Sequence, residues 1–133
     1  MKRLIDIRLL TALALTGAGA VACSGTARDS QALHGAALPT PVARPDFTLT
    51  DTQGRPYDFW KETHGQVTLL YFGYTHCPDV CPVQMANIAA AMRRMSRTDQ
   101  QRIKVVFVTT DPPRDSLQRL RSWLDNFNPA FVG

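Results

Sequence analysis

A nearly unbroken apolar run at residues 67–74 is the feature that most restricts the fold of this chain. Runs of this length, rich in β-branched and aromatic residues, are typical of a parallel strand that is buried on both faces. A second such run follows at residues 103–109, and apolar positions between the two repeat every three or four residues. This spacing predicts a helix, so the segments together predict a strand–helix–strand unit with a right-handed crossover and an α/β fold.

A β-hairpin is predicted before the first long strand. Residues 47–50 alternate apolar and polar side chains, residues 51–54 have turn chemistry, and residues 56–59 can return as a second strand. Three aromatic side chains are interpreted as packing residues, and they are Trp60, Trp123 and Phe131.

Two helices are predicted around the second long strand. Pro82 suits the first turn of the helix that precedes this strand, which places Cys81 close to the N-cap. Asp115 is predicted to begin the helix that follows, with Gln118 as its capping-box partner. The residues of the first helix that we expect in the core are Met85, Ile88, Ala89, Met92 and Met95.

The N-terminus has the pattern of an export signal. Residues 1–22 begin with basic side chains and continue as an uncharged apolar run of the length of a signal h-region, which predicts a signal peptide. The run ends in Ala-Val-Ala-Cys, which suits ordinary signal peptidase and also a lipoprotein box; we favour lipidation of Cys23. Residues 23–45 are then a flexible tether, and residues 46–133 are the folded domain. This arrangement predicts a periplasm-facing domain in a bacterial cell envelope, tethered to the membrane by a lipid or by the signal.

Composition and charge exclude several other classes of protein. A hydrophobic content of 44% is too high for a disordered chain, and three cysteines are too few for a disulfide-rich scaffold. The formal net charge is +4, but it falls to +2 when the three basic residues and one acid of the first eight positions are left out. We therefore expect no nucleic-acid partner.

Two cysteines, Cys77 and Cys81, lie between the end of the first long strand and the following helix. In an open α/β sheet this is where ligands bind, and the positive end of a helix dipole favours the thiolate. A thiolate pair suits both disulfide exchange and soft metal ions such as Cu(I). Structural zinc is disfavoured because a second ligand pair is missing, whereas a purely structural disulfide remains open.

Other charged residues near this pair admit two interpretations each. Asp79 can tune the thiols or cap the helix, and Asp111 can line the site or act as a turn acid. The basic residues around the end of the first helix are interpreted as a solvent-exposed surface, and they are Arg93, Arg94, Arg97 and Arg102.

The segment Tyr71-Phe72-Gly73-Tyr74-Thr75-His76-Cys77-Pro78-Asp79-Val80-Cys81-Pro82 resembles the signature of the Sco/SenC family. The resemblance extends to the predicted hairpin, to residues 106–115 and to residues 127–133. It implies a thioredoxin-like three-layer sandwich with an N-terminal β-hairpin, here incomplete at its C-terminus. It also implies a copper site formed by Cys77, Cys81 and a later His in a V-D-H-S context. The chain reads as truncated before that His, and an unfinished sheet of this kind exposes an edge.

The resemblance implies a copper metallochaperone that helps to load the binuclear copper A centre of cytochrome c oxidase. Its partner would be the copper A subunit or another copper-delivery protein, and its cargo would be Cu(I), with Cu(II) possible in a complete chain. The alternative is a thiol-disulfide oxidoreductase in which Cys77 and Cys81 form the redox-active pair, and a third hypothesis is a scaffold lipoprotein with a structural bridge. A metal-transfer protein is favoured over an enzyme. No ligand role is assigned to His34, His64 or His76.

Overall fold

The computed structural model of the protein describes residues 35–133. Its elements lie in a compact unit that spans Thr40–Gly133. The predicted signal peptide, Cys23 and the first part of the predicted tether lie outside the described residues. In chain order the elements are β1 (Thr48–Thr50), β2 (Pro56–Asp58), α1 (Phe59–Glu62), β3 (Val67–Gly73), α2 (Val80–Arg93), α3 (Arg97–Gln101), β4 (Ile103–Thr109) and α4 (Leu117–Asp125).

Strands β1 and β2 form the predicted antiparallel hairpin. Its turn is organised by the buried Asp51 carboxylate, which accepts hydrogen bonds from the backbone amides of Gln53 at 2.8 Å and Arg55 at 2.9 Å. Gly54 has a φ of 78°, a conformation that favours glycine. The hairpin ends at Asp58, which caps α1 by accepting from the Lys61 amide.

Strands β3 and β4 form the predicted parallel pair, with α2 in the crossover between them. Beyond α4 the chain returns to the other side of β4. There the Phe107 amide donates to the Val132 carbonyl at 2.8 Å, and the Val132 amide donates to the Val105 carbonyl at 2.9 Å. Strand β4 is therefore hydrogen-bonded on both sides, whereas β3 forms one edge of the sheet within residues 35–133.

Among residues 35–133, a hydrophobic core joins α2, β4, α4 and the segment after α4. Phe107 is at its centre, with its ring centroid 5.6 Å from that of Tyr71 and 5.2 Å from that of Trp123. This confirms Trp123 and Phe131 as packing residues. The fully packed members of the core are Met85, Ala89, Met92, Val105, Phe107, Leu120, Leu124 and Phe131.

Three expectations about burial are wrong. Val67 and Phe72 in β3 are each 59% exposed, because their side chains project from the faces of the sheet and no element within residues 35–133 covers them. Separately, one edge of β3 has no neighbouring strand within residues 35–133, which agrees with the expected exposed sheet edge. Met95 is also exposed, because α2 ends at Arg93. Trp60 is exposed too, and its ring lies 4.1 Å from the Arg44 guanidinium.

The N-cap of helix α4 lies one residue later than expected, and the helix itself begins at Leu117. Its N-cap is Ser116, whose hydroxyl accepts from the Arg119 amide, so Asp115 is not the capping residue. None of the helices within residues 35–133 has the length and apolar character needed to cross a membrane.

Candidate functional site

Cys77 and Cys81 come together where β3 passes into α2. Both side chains are free thiols, and their residues are only 8% and 3% exposed. The backbone amide of Cys77 donates to the Tyr74 carbonyl at 3.2 Å, which forms a tight turn directly after the strand. The fold thus places two thiols close to one another at the carboxyl edge of the sheet, as the sequence indicated.

The sulfur of Cys77 lies at the N-terminus of α2. The helix begins at Val80, so Cys81 is its second residue and lies close to the N-cap, as predicted. Asp79 is the N-cap but makes no side-chain capping hydrogen bond. Instead the Cys77 Sγ accepts from the Cys81 amide at 3.4 Å and so satisfies one of the free N–H groups of the first turn.

This arrangement favours the Cys77 thiolate. The pKa of the Cys77 thiol lies below its usual value because the Cys81 thiol and the backbone amides of Cys81 and Asp79 hydrogen-bond to its sulfur. The positive end of the α2 dipole acts in the same direction. Burial and a hydrogen bond to Cys81 raise the pKa of the nearby Tyr71 hydroxyl, so this group remains protonated.

Gly73 provides the space that Cys81 occupies. A Cβ atom at Gly73 would lie 3.0 Å from Cys81 Sγ, 2.9 Å from Tyr71 Cε1 and 3.0 Å from Phe107 Cζ. These distances are too short for ordinary packing. Position 73 therefore requires glycine because neighbouring side chains lie so close to its backbone, and not because of its backbone conformation. At Gly73, the last residue of β3, the aromatic side chains of the core and the Cys81 sulfur therefore pack against the same backbone atoms.

Asp115 is the residue of this region that the sequence reasoning missed. Its side chain is fully buried, and it accepts hydrogen bonds from Thr75, two residues before Cys77. Burial disfavours its ionised form, but hydrogen bonds from Thr109 and Thr75 hold the pKa of the Asp115 carboxyl below its usual value. No local signal in the sequence distinguished this residue, because its partner Thr75 lies 40 residues earlier in the chain.

The other charged candidates have structural roles in this structure. Asp111 forms an ion pair with Arg114, and its carbonyl accepts from the amides of Arg114 and Asp115, so it is a turn acid. His76 is partly exposed, with Nδ1 3.5 Å from Asp115 Oδ1. His34 lies outside the described residues. The basic residues expected to form a solvated face are all exposed: Arg93, Arg94, Arg97 and Arg102.

The donor set fits a soft monovalent ion. Within residues 35–133, no three His, Cys, Asp or Glu side chains are grouped closely enough to hold a metal ion. The two sulfurs are therefore the available ligands in this part of the chain. Cu(I) accepts thiolates and low coordination numbers, whereas structural zinc requires four ligands.

Residues 36–133 match the model of a protein family described as SCO1/SenC. The chain belongs to the SCO1/SenC family. It is 34% identical over 87 residues to "Protein SCO2, mitochondrial" of Saccharomyces cerevisiae, an alignment that covers 65% of this chain and 29% of the yeast protein.

Solved Sco structures share the fold. Copper-bound ScoI of Bradyrhizobium japonicum superposes with a TM-score of 0.61 and 37% identity over 67% of this chain and 55% of its own. Copper-bound yeast Sco1 gives a TM-score of 0.62 and 30% identity over 70% and 51%. The predicted thioredoxin-like α/β fold is thereby confirmed. The chain spans about half the length of these structures.

Acid should destabilise the fold through its buried carboxylates. Hydrogen bonds from Arg55 and Gln53 outweigh burial and hold the pKa of Asp51 below its unfolded value of about 3.9, as at Asp115. Such groups stabilise the fold above about pH 4, and this contribution is lost as the pH falls through their folded-state pKa. We expect a nearly constant melting temperature from pH 7 to pH 5 and a fall below about pH 4. Asp51→Asn should flatten that fall; an unchanged acid profile in this variant would contradict the assignment.

Proposed function

We propose that this chain is a copper metallochaperone that binds Cu(I) through Cys77 and Cys81 and delivers it during assembly of cytochrome c oxidase. The observation that carries the proposal is the pair of buried free thiols at the N-terminus of α2, one of which has a lowered pKa. Membership of the SCO1/SenC family supports it, because that family contains copper-binding proteins of oxidase assembly. Copper is the cargo here, and the copper A subunit or another copper-delivery protein is its proposed partner.

Transfer would proceed by ligand exchange. A thiolate of the partner approaches the bound ion and forms a new copper–sulfur bond while a bond to this chain breaks. A second exchange then completes the transfer. The ion remains Cu(I), and each released cysteine retains its electron pair and takes up a proton according to its pKa. During each exchange the ion would be held by three sulfurs for a short time. Cu(I) accepts two or three ligands, so this intermediate is accessible. A His ligand from the V-D-H-S context of the family would add the imidazole that Cu(II) favours.

Copper binding should depend on both site cysteines and not on the third. We expect the reduced chain to take one Cu(I) from a chelator of moderate affinity, and Cys77→Ser and Cys81→Ser each to abolish this stoichiometric uptake. Cys23→Ser is the matched control and should bind as the wild type does. Failure of the reduced wild type to compete for Cu(I), or uptake retained in both site variants, would overturn the proposal.

A second function, thiol-disulfide exchange with cysteines of a partner, is favoured by the lowered pKa of Cys77. The Cys77 thiolate would attack a partner disulfide, forming a mixed disulfide and releasing one partner thiolate. Cys81 would then attack the Cys77 sulfur and release the second, leaving a Cys77–Cys81 disulfide and a partner reduced by two electrons. Repeated reduction of a test disulfide with a dithiol reductant as electron source would favour this function; a single turnover without recycling would exclude it as an enzymatic activity.

We further propose that residues 1–22 are removed as a signal peptide and that Cys23 carries a lipid, which places residues 46–133 on the periplasmic side of a cell envelope. The Ala-Val-Ala-Cys sequence and the tether-like composition of residues 23–45 support this. In cells, wild-type protein should fractionate with membranes and carry an acylated N-terminus by mass spectrometry. Cys23→Ser should lose the acyl mass; an identical mass shift in both proteins would rule out lipidation.

A further inference from the structure

We propose that Asp115 is a positioning residue for the thiol pair: its buried carboxylate ties the loop before Cys77 to the end of β4 and so fixes where the Cys77 sulfur lies. The functional consequence for copper rests on the proposed function above. The structural consequence, a fixed Cys77, can be measured without metal.

The carboxylate accepts three hydrogen bonds, two from the loop after β3 and one from the last residue of β4. Thr75 donates twice, from its backbone amide to Oδ2 at 3.0 Å and from its hydroxyl to Oδ1 at 2.6 Å. Thr109, the last residue of β4, donates its hydroxyl to Oδ2 at 2.6 Å. His76 Nδ1 lies 3.5 Å from Oδ1. A fully buried anion with short, charge-assisted hydrogen bonds fixes its partners more rigidly than a neutral acceptor does.

A separate set of contacts joins the same two strands without the carboxylate. The Thr110 amide and hydroxyl both donate to the Gly73 carbonyl, at 2.7 Å and 3.2 Å. Together with the β3–β4 ladder, these bonds hold the strand ends in register. Loss of the Asp115 carboxylate should therefore loosen the loop and leave the strands paired.

The loop between Thr75 and Cys77 is only two residues long, so fixing Thr75 also restricts the position of the Cys77 sulfur. Thr75 is held by Asp115, and the amide of Cys77 donates to the carbonyl of Tyr74 on the other side of Thr75. On the helix side, the Cys77 sulfur is held by the Cys81 amide. Fixing Thr75 therefore fixes the start of the turn on which Cys77 lies. Residues that orient ligands in this indirect way commonly matter for metal affinity.

The test compares two ways of breaking the anchor with two controls. Asp115→Asn places an amide donor where the site requires an acceptor, and Thr75→Val removes the hydroxyl but preserves shape. Thr75→Ser retains the hydroxyl and should rescue the effect. Asp111→Asn changes an acid in the same connection whose carboxylate pairs with Arg114, and it should behave as the wild type.

Two readouts are measured on the full reduced chain. Without metal, alkylation of Cys77 and Cys81 by iodoacetamide is followed by mass spectrometry, and we expect faster alkylation of Cys77 in Asp115→Asn and Thr75→Val. With Cu(I) and a competing chelator, we expect an affinity loss of about tenfold in the same two variants. Thr75→Ser and Asp111→Asn should match the wild type in both.

The outcomes separate the inference from the proposed function. Unchanged alkylation rates in Thr75→Val would overturn the positioning role, whatever the copper result. A wild type that takes no Cu(I), with Cys77 alkylation still accelerated in Asp115→Asn, would overturn the copper function and support the positioning role. If circular dichroism shows Asp115→Asn to be unfolded, the Thr75→Val and Thr75→Ser pair decides. Equal losses in Thr75→Val and Thr75→Ser would also contradict the inference.

Discussion

Phe107→Ala should lower the free energy of unfolding by about 3–5 kcal/mol, the usual cost of removing a large buried aromatic side chain. Phe107 is 1% exposed, stacks against the Tyr71 ring and packs at a tilt against the Trp123 ring. Its truncation leaves a cavity among the packed side chains of the core. A loss of this size is comparable to the whole stability of many small domains.

Phe72 provides the matched control for this prediction. It has the same side chain on the neighbouring strand but is 59% exposed, so Phe72→Ala should change stability by less than about 1 kcal/mol. Urea denaturation followed by circular dichroism measures both variants. Similar midpoints for Phe107→Ala and Phe72→Ala would show that the core is not centred on Phe107.

Gly73→Ala should damage stability and the thiol site together. The added methyl group would lie about 3 Å from Cys81 Sγ and from the Tyr71 and Phe107 rings, so at least one of them must move. Overpacking of this kind costs about 1–3 kcal/mol. Because Cys81 is one of the three neighbours, we also expect its alkylation rate and the Cu(I) affinity of the chain to change.

Gly35→Ala is the control for the glycine substitution, because no atom lies within 4 Å of the position that its Cβ would take. It should retain the wild-type melting temperature and thiol reactivity. A Gly73→Ala protein with wild-type melting temperature and copper affinity would mean that the close approach of β3 to Cys81 is easily relieved.

Local patterns in the sequence were sufficient to predict the strand–helix–strand unit. Each element has a recognisable local pattern, because strands and helices repeat their apolar residues with different periods. These patterns are the apolar runs of β3 and β4, the periodic apolar positions of α2 and the turn residues 51–54. The position of Cys77 and Cys81 follows from the same pattern, since both lie between the end of β3 and the body of α2. Family resemblance then specified the wider fold.

Contacts between distant segments were not predictable in this way. Nothing local distinguishes Asp115 from an ordinary helix cap, because its partner Thr75 lies 40 residues away. The hydrogen bond from the Cys81 amide to the Cys77 sulfur was not predicted either, because the sequence offered the Asp79 side chain as the cap. The exposure of β3 was missed because an apolar run shows that a strand can be buried, not what covers it.

The link between Thr75 and Asp115 also has a consequence for the time at which the site forms. A polypeptide that has folded only as far as α2 already contains both cysteines. The Asp115 carboxylate, however, has not yet formed its hydrogen bonds with Thr75 in the loop before Cys77. Contacts of long sequence separation form late, because the entropy of closing the intervening loop must be overcome first. Until β4 docks, the two thiols belong to a loose segment that is open to oxidants and to the wrong metal ions. On the proposed copper function, a Cu(I) ion that arrived before β4 docked would meet two thiols whose loop is not yet anchored, so we expect selective loading to require the folded chain.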